Sequence, residues 1–227
     1  MNALDYIIEK YKLNVNQKHQ PIEIPDTNRT DLARLFFELG FKVGAEVGVE
    51  RGYYSKILLE QNPEFHLFSI DAWTAYKSYR DHMIQADMDI LYQEAKNNLS
   101  MYSGRNTLIK AFSTEAAKDF GDETLDFVYL DANHEFTHVV NDLASWEPKV
   151  KVGGIVAGHD YIKRKTNGYM MHVPMAVHGY IESYQISPLF VLGRKVQTPG
   201  EKRESTRSWF YVKPPKDKMR PGWSPTP

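Results

Sequence analysis

The sequence predicts an α/β protein: an open, mostly parallel sheet of seven strands, helices on both faces, and an antiparallel pair of strands at the C-terminal end. Three observations carry this. Short apolar runs alternate with helical patterns from residue 30 to 161 without an internal repeat, the sequence form of a parallel sheet. The stretch Lys42–Ser55 reads as a strand, a glycine turn and the start of a helix. The last two apolar runs, 189–192 and 208–212, are joined by a charged turn containing Gly and Pro, so they pair most easily antiparallel.

The elements follow in order. Leu4, Ile7, Ile8 and Tyr11 have helical spacing, after which Pro21 and Pro25 break the chain. Residues 1–28 therefore form an N-terminal extension, a flanking helix or a lid over the substrate, and Asp26-Thr27-Asn28 offers capping groups. Residues 30–40 form a helix opened by Thr30 or Asp31 and closed by Gly40. Val43, Ala45, Val47 and Val49 make the first buried strand. Gly48 and Gly52 then turn the chain into a helix with Ile57, Leu58 and Leu59 on its apolar side, stopped by Asn62-Pro63.

A second strand, Phe65 to Ile70, has Asp71 at its C-terminal end, and the loop beyond it holds Trp73, Tyr76, Tyr79 and Arg80. A helix over 84–99 presents Ile84, Met88, Leu91, Ala95 and Leu99 on one face. Asn106–Phe112 is the third strand, and Ser113 caps a short helix to Phe120. Leu125–Leu130 is the fourth, ending at Asp131, with a helix from Phe136 to Trp146 after it. Gly153-Gly154 leads into a fifth strand, 155–157, ending at Gly158-His159-Asp160. A basic loop at Lys163-Arg164-Lys165 and a helix from Val173 to Tyr184 come before the final two strands. The reading is thus one domain over 29–213, with a proline-bearing tail, 214–227, expected to be poorly ordered.

Composition narrows the function classes. With 227 residues and 42% hydrophobic content, the chain can bury one full-sized core. A formal net charge of −1 provides no global basic field, so nucleic acid is not an expected partner. No apolar run is long enough to span a bilayer, and the start, MNALDYIIEK, is mixed and charged, unlike a signal peptide. Cysteine is absent, which removes disulfides and thiolate metal sites and makes a cytoplasmic location the expectation.

In an open parallel sheet, ligands bind beyond the carboxyl ends of the strands. The polar residues there are Glu46 and Gly48, Asp71, Ser113, Asp131 and His159-Asp160, which gather on one edge. Asp71 falls about twenty residues past the glycine turn, where an acid can accept from both ribose hydroxyls of a nucleoside. The turn Glu46-Val47-Gly48-Val49-Glu50-Arg51-Gly52 lacks a third glycine and is not followed by Lys-Ser/Thr, so it is neither a dinucleotide fingerprint nor a phosphate loop. An acid inside a buried strand needs a partner, and Glu46 calls for a cation. The ligand these features describe is a nucleoside without a pyrophosphate.

The runs EVGV-x-x-G, SIDAW, LDFVYLDANHEF and VGGIVAGHDY resemble those of class I S-adenosylmethionine (SAM) dependent methyltransferases, with their Rossmann-like fold. The subgroup most similar is the methyltransferase 24 family, related to macrolide-sugar and aminocoumarin-sugar O-methyltransferases. The resemblance covers roughly 30–213 and implies SAM as cofactor and O-methylation of a small-molecule acceptor, a sugar or nucleotide-linked sugar included. It implies that Glu46 holds the amino end of SAM and that Gly48 lets the backbone approach the methionyl part. Tyr53 and Ser55 join the cofactor set from the helix start, Asp71 takes the ribose, Ala72 or Trp73 and Ser113 meet the adenine, and Asp131 closes the methionyl side.

The metal-dependent relatives imply a divalent ion, Mg²⁺ or Mn²⁺, at Asp131, His159 and Asp160. His159 departs from the pair of acids usual there. His134, three residues past Asp131, matches the position of a catalytic base, and His134 and Asp131 are the catalytic candidates, while His138 is expected at the surface. Lys163-Arg164-Lys165 is either a solvated loop or a clamp for an anionic acceptor, and a homo-oligomer is compatible with the sequence. Two other readings use the same scaffold: an iron-dependent hydroxylase with His159 as a ligand, and a protein that binds SAM without chemistry.

Overall fold

The computed structural model describes residues 2–16, 21–76, 84–163, 165–166 and 169–215. The extension begins with helix α1 (Ala3–Tyr11), capped by the Asn2 side chain, and its Ile7 is fully buried. Strand β1 (Ile22–Ile24) follows, then α2 (Arg29–Glu38). The cap of α2 is Asn28 rather than Thr30 or Asp31. Its side chain accepts from the backbone of Thr30 and Asp31, and Asp31 reaches back to the Asn28 amide, a reciprocal capping box.

The alternating region contains β2 (Val43–Val47), α3 (Tyr53–Gln61), β3 (His66–Asp71), α4 (Gln85–Leu99), β4 (Asn106–Lys110), α5 (Ser113–Ala116), β5 (Leu125–Leu130), α6 (Phe136–Trp146) and β6 (Val150–Gly158). A two-stranded ribbon, β7 (Lys165–Thr166) and β8 (Tyr169–Met170), precedes α7 (Val173–Ser183), β9 (Phe190–Leu192) and β10 (Trp209–Val212).

The main sheet runs β1-β9-β10-β6-β5-β2-β3-β4. Strands β4, β3, β2, β5 and β6 are mutually parallel, and β10 is antiparallel to both β6 and β9. The sheet has eight strands rather than seven because β1 adds to the edge, parallel to β9, with Ile22 opposite Phe190. Residues 22–24 are therefore part of the sheet, and Ile22 and Ile24 are buried.

Period-two alternation sorts the strand residues onto two faces. Leu67, Phe127, Tyr129, Ile155 and Phe210 pack with α2, α3 and α4. Ala45, Val47, Val128, Leu130, Val156 and Tyr211 pack with α6 and α7. Phe36 and Phe127 stack at 4.1 Å, which joins α2 to the first face. Strand order reverses between β2 and β5, so a crevice opens beyond their carboxyl ends. No helix among the described residues is long and apolar enough to cross a membrane.

Candidate active site

The crevice is a cavity of about 610 Å³, within the size range of small-molecule sites, roughly 300–1,000 Å³. Its lining includes Glu46 and Gly48 at β2, Asp71 at the end of β3, Ser113 at the start of α5, and Asp131 and His134 in the loop after β5.

Gly48 sits at the point of reversal with φ +92°. A Cβ there would lie 2.1 Å from the carbonyl oxygen of Asp131, so the glycine is needed first by the protein's own backbone. The Asp131 amide donates to Val47 (2.7 Å) and the Gly48 amide to Ile70 (2.8 Å), which locks three strand ends together.

The turn beyond Gly48 is held from below. Asp71 Oδ2 accepts from the amides of Val49 and Glu50, both at 2.9 Å, and Oδ1 accepts from Trp73 at 3.0 Å. A carboxylate has about four acceptor sites, so Asp71 keeps capacity for one ribose hydroxyl, not the expected two. Trp73 is 1% exposed, donates its indole N–H to the Glu50 carbonyl at 2.8 Å and packs on Tyr92. Its indole is committed to supporting the turn, and both Ala72 and Trp73 line the cavity. Of the two tyrosines opening α3, Tyr53 is exposed at the rim and Tyr54 is buried.

Glu46 is 1% exposed and lines the cavity. The hydroxyl of Ser55 donates to it, Ser69 donates to Ser55 at 3.1 Å, and Asn106 donates to Ser69 at 2.8 Å. This relay orients the carboxyl but brings no charge to it. Burial pushes its pKa up to about 8, against the Ser55 hydrogen bond. Ser55 is fully buried under Glu46, so it acts on the cavity through that residue.

Ser113 was expected to touch the adenine. Trp146 donates its indole N–H to Ser113 Oγ at 2.9 Å, and that hydroxyl donates to Asp142 Oδ1 at 2.5 Å. Its one proton is thus committed, and Asp142, on α6, also lines the cavity. Burial raises the Asp142 carboxyl to about 7. Sequence reasoning missed Asp142. Its signal was an acid on the apolar face of an amphipathic helix, one position before Leu143. His138, expected at the surface, also lines the cavity, as does Arg29.

The titratable cluster at the ends of β5 and β6 differs from expectation in its histidine. Ligand atoms of Asp131, His134 and Asp160 lie within 4.8 Å of one another. His134 Nε2 is 2.8 Å from Asp160 Oδ2 and 3.8 Å from Asp131 Oδ1. His159 stands beside this group, with Nδ1 3.8 Å from Asp131 Oδ2 and 3.6 Å from Asp160 Oδ2, and Nε2 turned toward Thr206 and Glu204. The chain reverses at Asp160, φ +53°, which swings its carboxylate back to His134.

His134 Nε2 is buried and close to both acids yet in line for a hydrogen bond with neither. Two carboxylates and an imidazole nitrogen converging in this way form a donor set that fits a divalent cation. Burial alone would push His134 down, but Asp131 and Asp160 outweigh it and hold the imidazole up at about 10. Asp160 is brought well below the usual carboxylate range, because the two histidines overcome its burial. In the absence of a cation, His134 is therefore charged at neutral pH. Asp131 and His134 reach the cavity wall, while Asp160 lies behind them.

Residues 77–83 and 164 carry two of the sequence expectations, Tyr79-Arg80 and the middle of the basic loop, and lie outside the described residues, as does the tail from 216.

Residues 45–161 match the family described as a methyltransferase domain. No curated protein sequence matches the chain. Among solved structures, a candidate caffeoyl-CoA O-methyltransferase from Staphylococcus aureus is similar, with a TM-score of 0.58 at 14% identity, covering 92% of this chain and 90% of that one. A candidate O-methyltransferase from Klebsiella pneumoniae gives a TM-score of 0.54 at 17% identity, over 93% and 90%. The N-methyltransferase NodS from Bradyrhizobium japonicum gives 0.53 at 14%, over 82% and 95%. At these identities the likeness is one of fold, and that fold hosts methyl acceptors of different chemistry.

Proposed function

The chain belongs to the methyltransferase 24 domain family and carries the class I fold, and from that premise we propose that it moves a methyl group from SAM to a hydroxyl of a small metabolite. The observation that carries the reading is Glu46. A carboxyl buried at the switch point, raised to about 8 and supplied only with neutral hydrogen-bond donors, is matched by the ammonium of an amino acid joined to a nucleoside. SAM supplies an electrophilic methyl on a sulfonium sulfur.

The chain's own residues bind and orient. Asp71 takes a ribose hydroxyl, Ala72 and Asp142 face the base, and Glu46 takes the amino group. Holding donor and acceptor in line accounts for much of the acceleration in such a transfer. A divalent cation would be held by Asp131, His134 and Asp160 and would polarise the acceptor oxygen as a Lewis acid. His134, charged in the free cluster, is assigned to holding the two carboxylates or the cation that replaces its proton. Accepting the substrate proton falls to Asp131, the carboxylate of the cluster at the cavity wall. This revises the expectation that His134 is the base and His159 a ligand.

The test is transfer of labelled methyl from SAM to a panel of hydroxylated small molecules, sugars and nucleotide-linked sugars among them, with Mg²⁺ or Mn²⁺ and with a chelator. The wild type should label an acceptor, and Asp131→Asn should lower the rate at least about 100-fold. Labelling of amines alone would refute the hydroxyl assignment.

A further inference from the structure

Arg29 stands at the Glu46 end of the cavity and has no part in the chemistry above. It comes from the first turn of α2, outside the region that matches the family. Its guanidinium lies over the ring of buried Tyr54 at 5.1 Å, and the Tyr54 hydroxyl donates to the Arg29 carbonyl at 3.0 Å. Nε is 2.9 Å from Glu204 Oε1, and the Arg29 amide donates to Glu204 Oε2 at 3.1 Å. Stacking and pairing fix the plane of the fork. Among the described residues neither terminal nitrogen, Nη1 or Nη2, has a hydrogen-bond partner, although the side chain lines the cavity and is only 31% exposed.

The cavity therefore offers two opposite groups at one end. Glu46 seeks a cation, and Arg29 presents two unused donors in the flat geometry that matches a carboxylate. The positive field of Arg29 also acts on Glu46, which places the two groups within electrostatic reach. A ligand with an ammonium and a carboxylate on one carbon satisfies both at once. We propose that Arg29 is the residue that recognises the α-carboxylate of SAM, completing with Glu46 a clamp for the amino-acid end of the cofactor. This rests on the reading of the cavity as a SAM site.

Two further contacts tie the clamp to the C-terminal strands. Lys202 Nζ pairs with Asp31 at 2.8 Å, and the Lys202 amide donates to Asp26 at 2.8 Å. With Glu204, these bind the turn between β9 and β10 to the start of α2, so the arginine is held by a segment remote in sequence.

The test compares two thioether ligands by calorimetry, S-adenosylhomocysteine and 5′-methylthioadenosine, which lacks the amino-acid end. Arg29→Ala should weaken the first about 10- to 100-fold, as expected for a charge-assisted, partly buried pair, and leave the second within about twofold. Arg29→Gln, which keeps an amide to reach Glu204, should show the same selective loss. The wild type should bind S-adenosylhomocysteine lacking its carboxylate about 10- to 100-fold more weakly than the intact ligand, a comparison that needs no variant. Equal losses for both ligands, or no loss for either, would overturn the proposal. Failure of the wild type to bind either ligand would instead sink the SAM reading on which it stands.

Discussion

Burial holds Glu46 up at about 8, so at pH 7 the free carboxyl carries a proton. An ammonium brought against it favours the ionised form, and the proton must leave. Calorimetric titration with S-adenosylhomocysteine at pH 7, in buffers of different ionisation heat, should report release of about one proton. Glu46→Gln should remove that release and weaken binding. The same group sets a sign for stability. Its folded value lies above its ordinary 4.5, so between about pH 4.5 and 8 the folded state binds more protons than the unfolded one. Stability of the free protein should fall as pH rises across that window, and Asp142, raised from 3.8 to about 7, adds the same slope. His134 contributes stability that is lost as pH rises toward 10. Thermal melts of Glu46→Gln should show a flatter profile than wild type between pH 5 and 8; an unchanged profile would remove the argument from burial.

At this scale the sequence showed which residues reach the cavity edge better than what each does there. Glu46, Asp71 and Asp131 end strands, and strand ends are visible in a pattern of apolar runs. The choice between His134 and His159 was not visible, because it depends on the reversal at Asp160 and the direction each ring takes after the strand. Asp142 and the commitment of the Ser113 hydroxyl depend on the indole of Trp146, 33 residues away from that serine.

Among the elements, the β2–α3 turn is the most constrained. Its backbone is held by Asp71, by Trp73 and by Asn98, whose side chain donates to the Arg51 carbonyl at 2.9 Å. Gly52 enters α3 with φ +79° and Leu99 of α4 packed 3.1 Å from where a Cβ would stand. Gly48→Ala combines an unfavourable φ with a contact against backbone that cannot rotate away. We expect a loss on the order of 3 kcal/mol or more in denaturant unfolding. A loss under about 1 kcal/mol would mean that the β5 end yields easily and that Gly48 serves only ligand approach. The core strands were legible because five of them are β-branched or aromatic runs bounded by turn residues. Strand β1 was not: three residues lie between Pro21 and Pro25, and Ile22 pairs with Phe190, so no local periodicity announces it. Ribbon β7–β8, two residues a side, is equally silent.

Across the whole molecule, the segment from β1 to the start of α2 meets the turn between β9 and β10 beside the cavity. Strand β1 closes the sheet edge on β9, Arg207 pairs with Glu23 at 2.6 Å, and Glu204 reaches both Arg29 and the neighbourhood of His159. Arg29 opens α2 directly after the extension, so a ligand held as proposed by Arg29 and Glu46 would bridge α2 to the central strands. Whether this cavity is a SAM site is decided by equilibrium titration of the chain with S-adenosylhomocysteine. Saturable binding is expected at one site per chain, weakened at least about tenfold by Glu46→Gln. Absence of binding by the wild type, or binding that Glu46→Gln leaves unchanged, would contradict the SAM assignment.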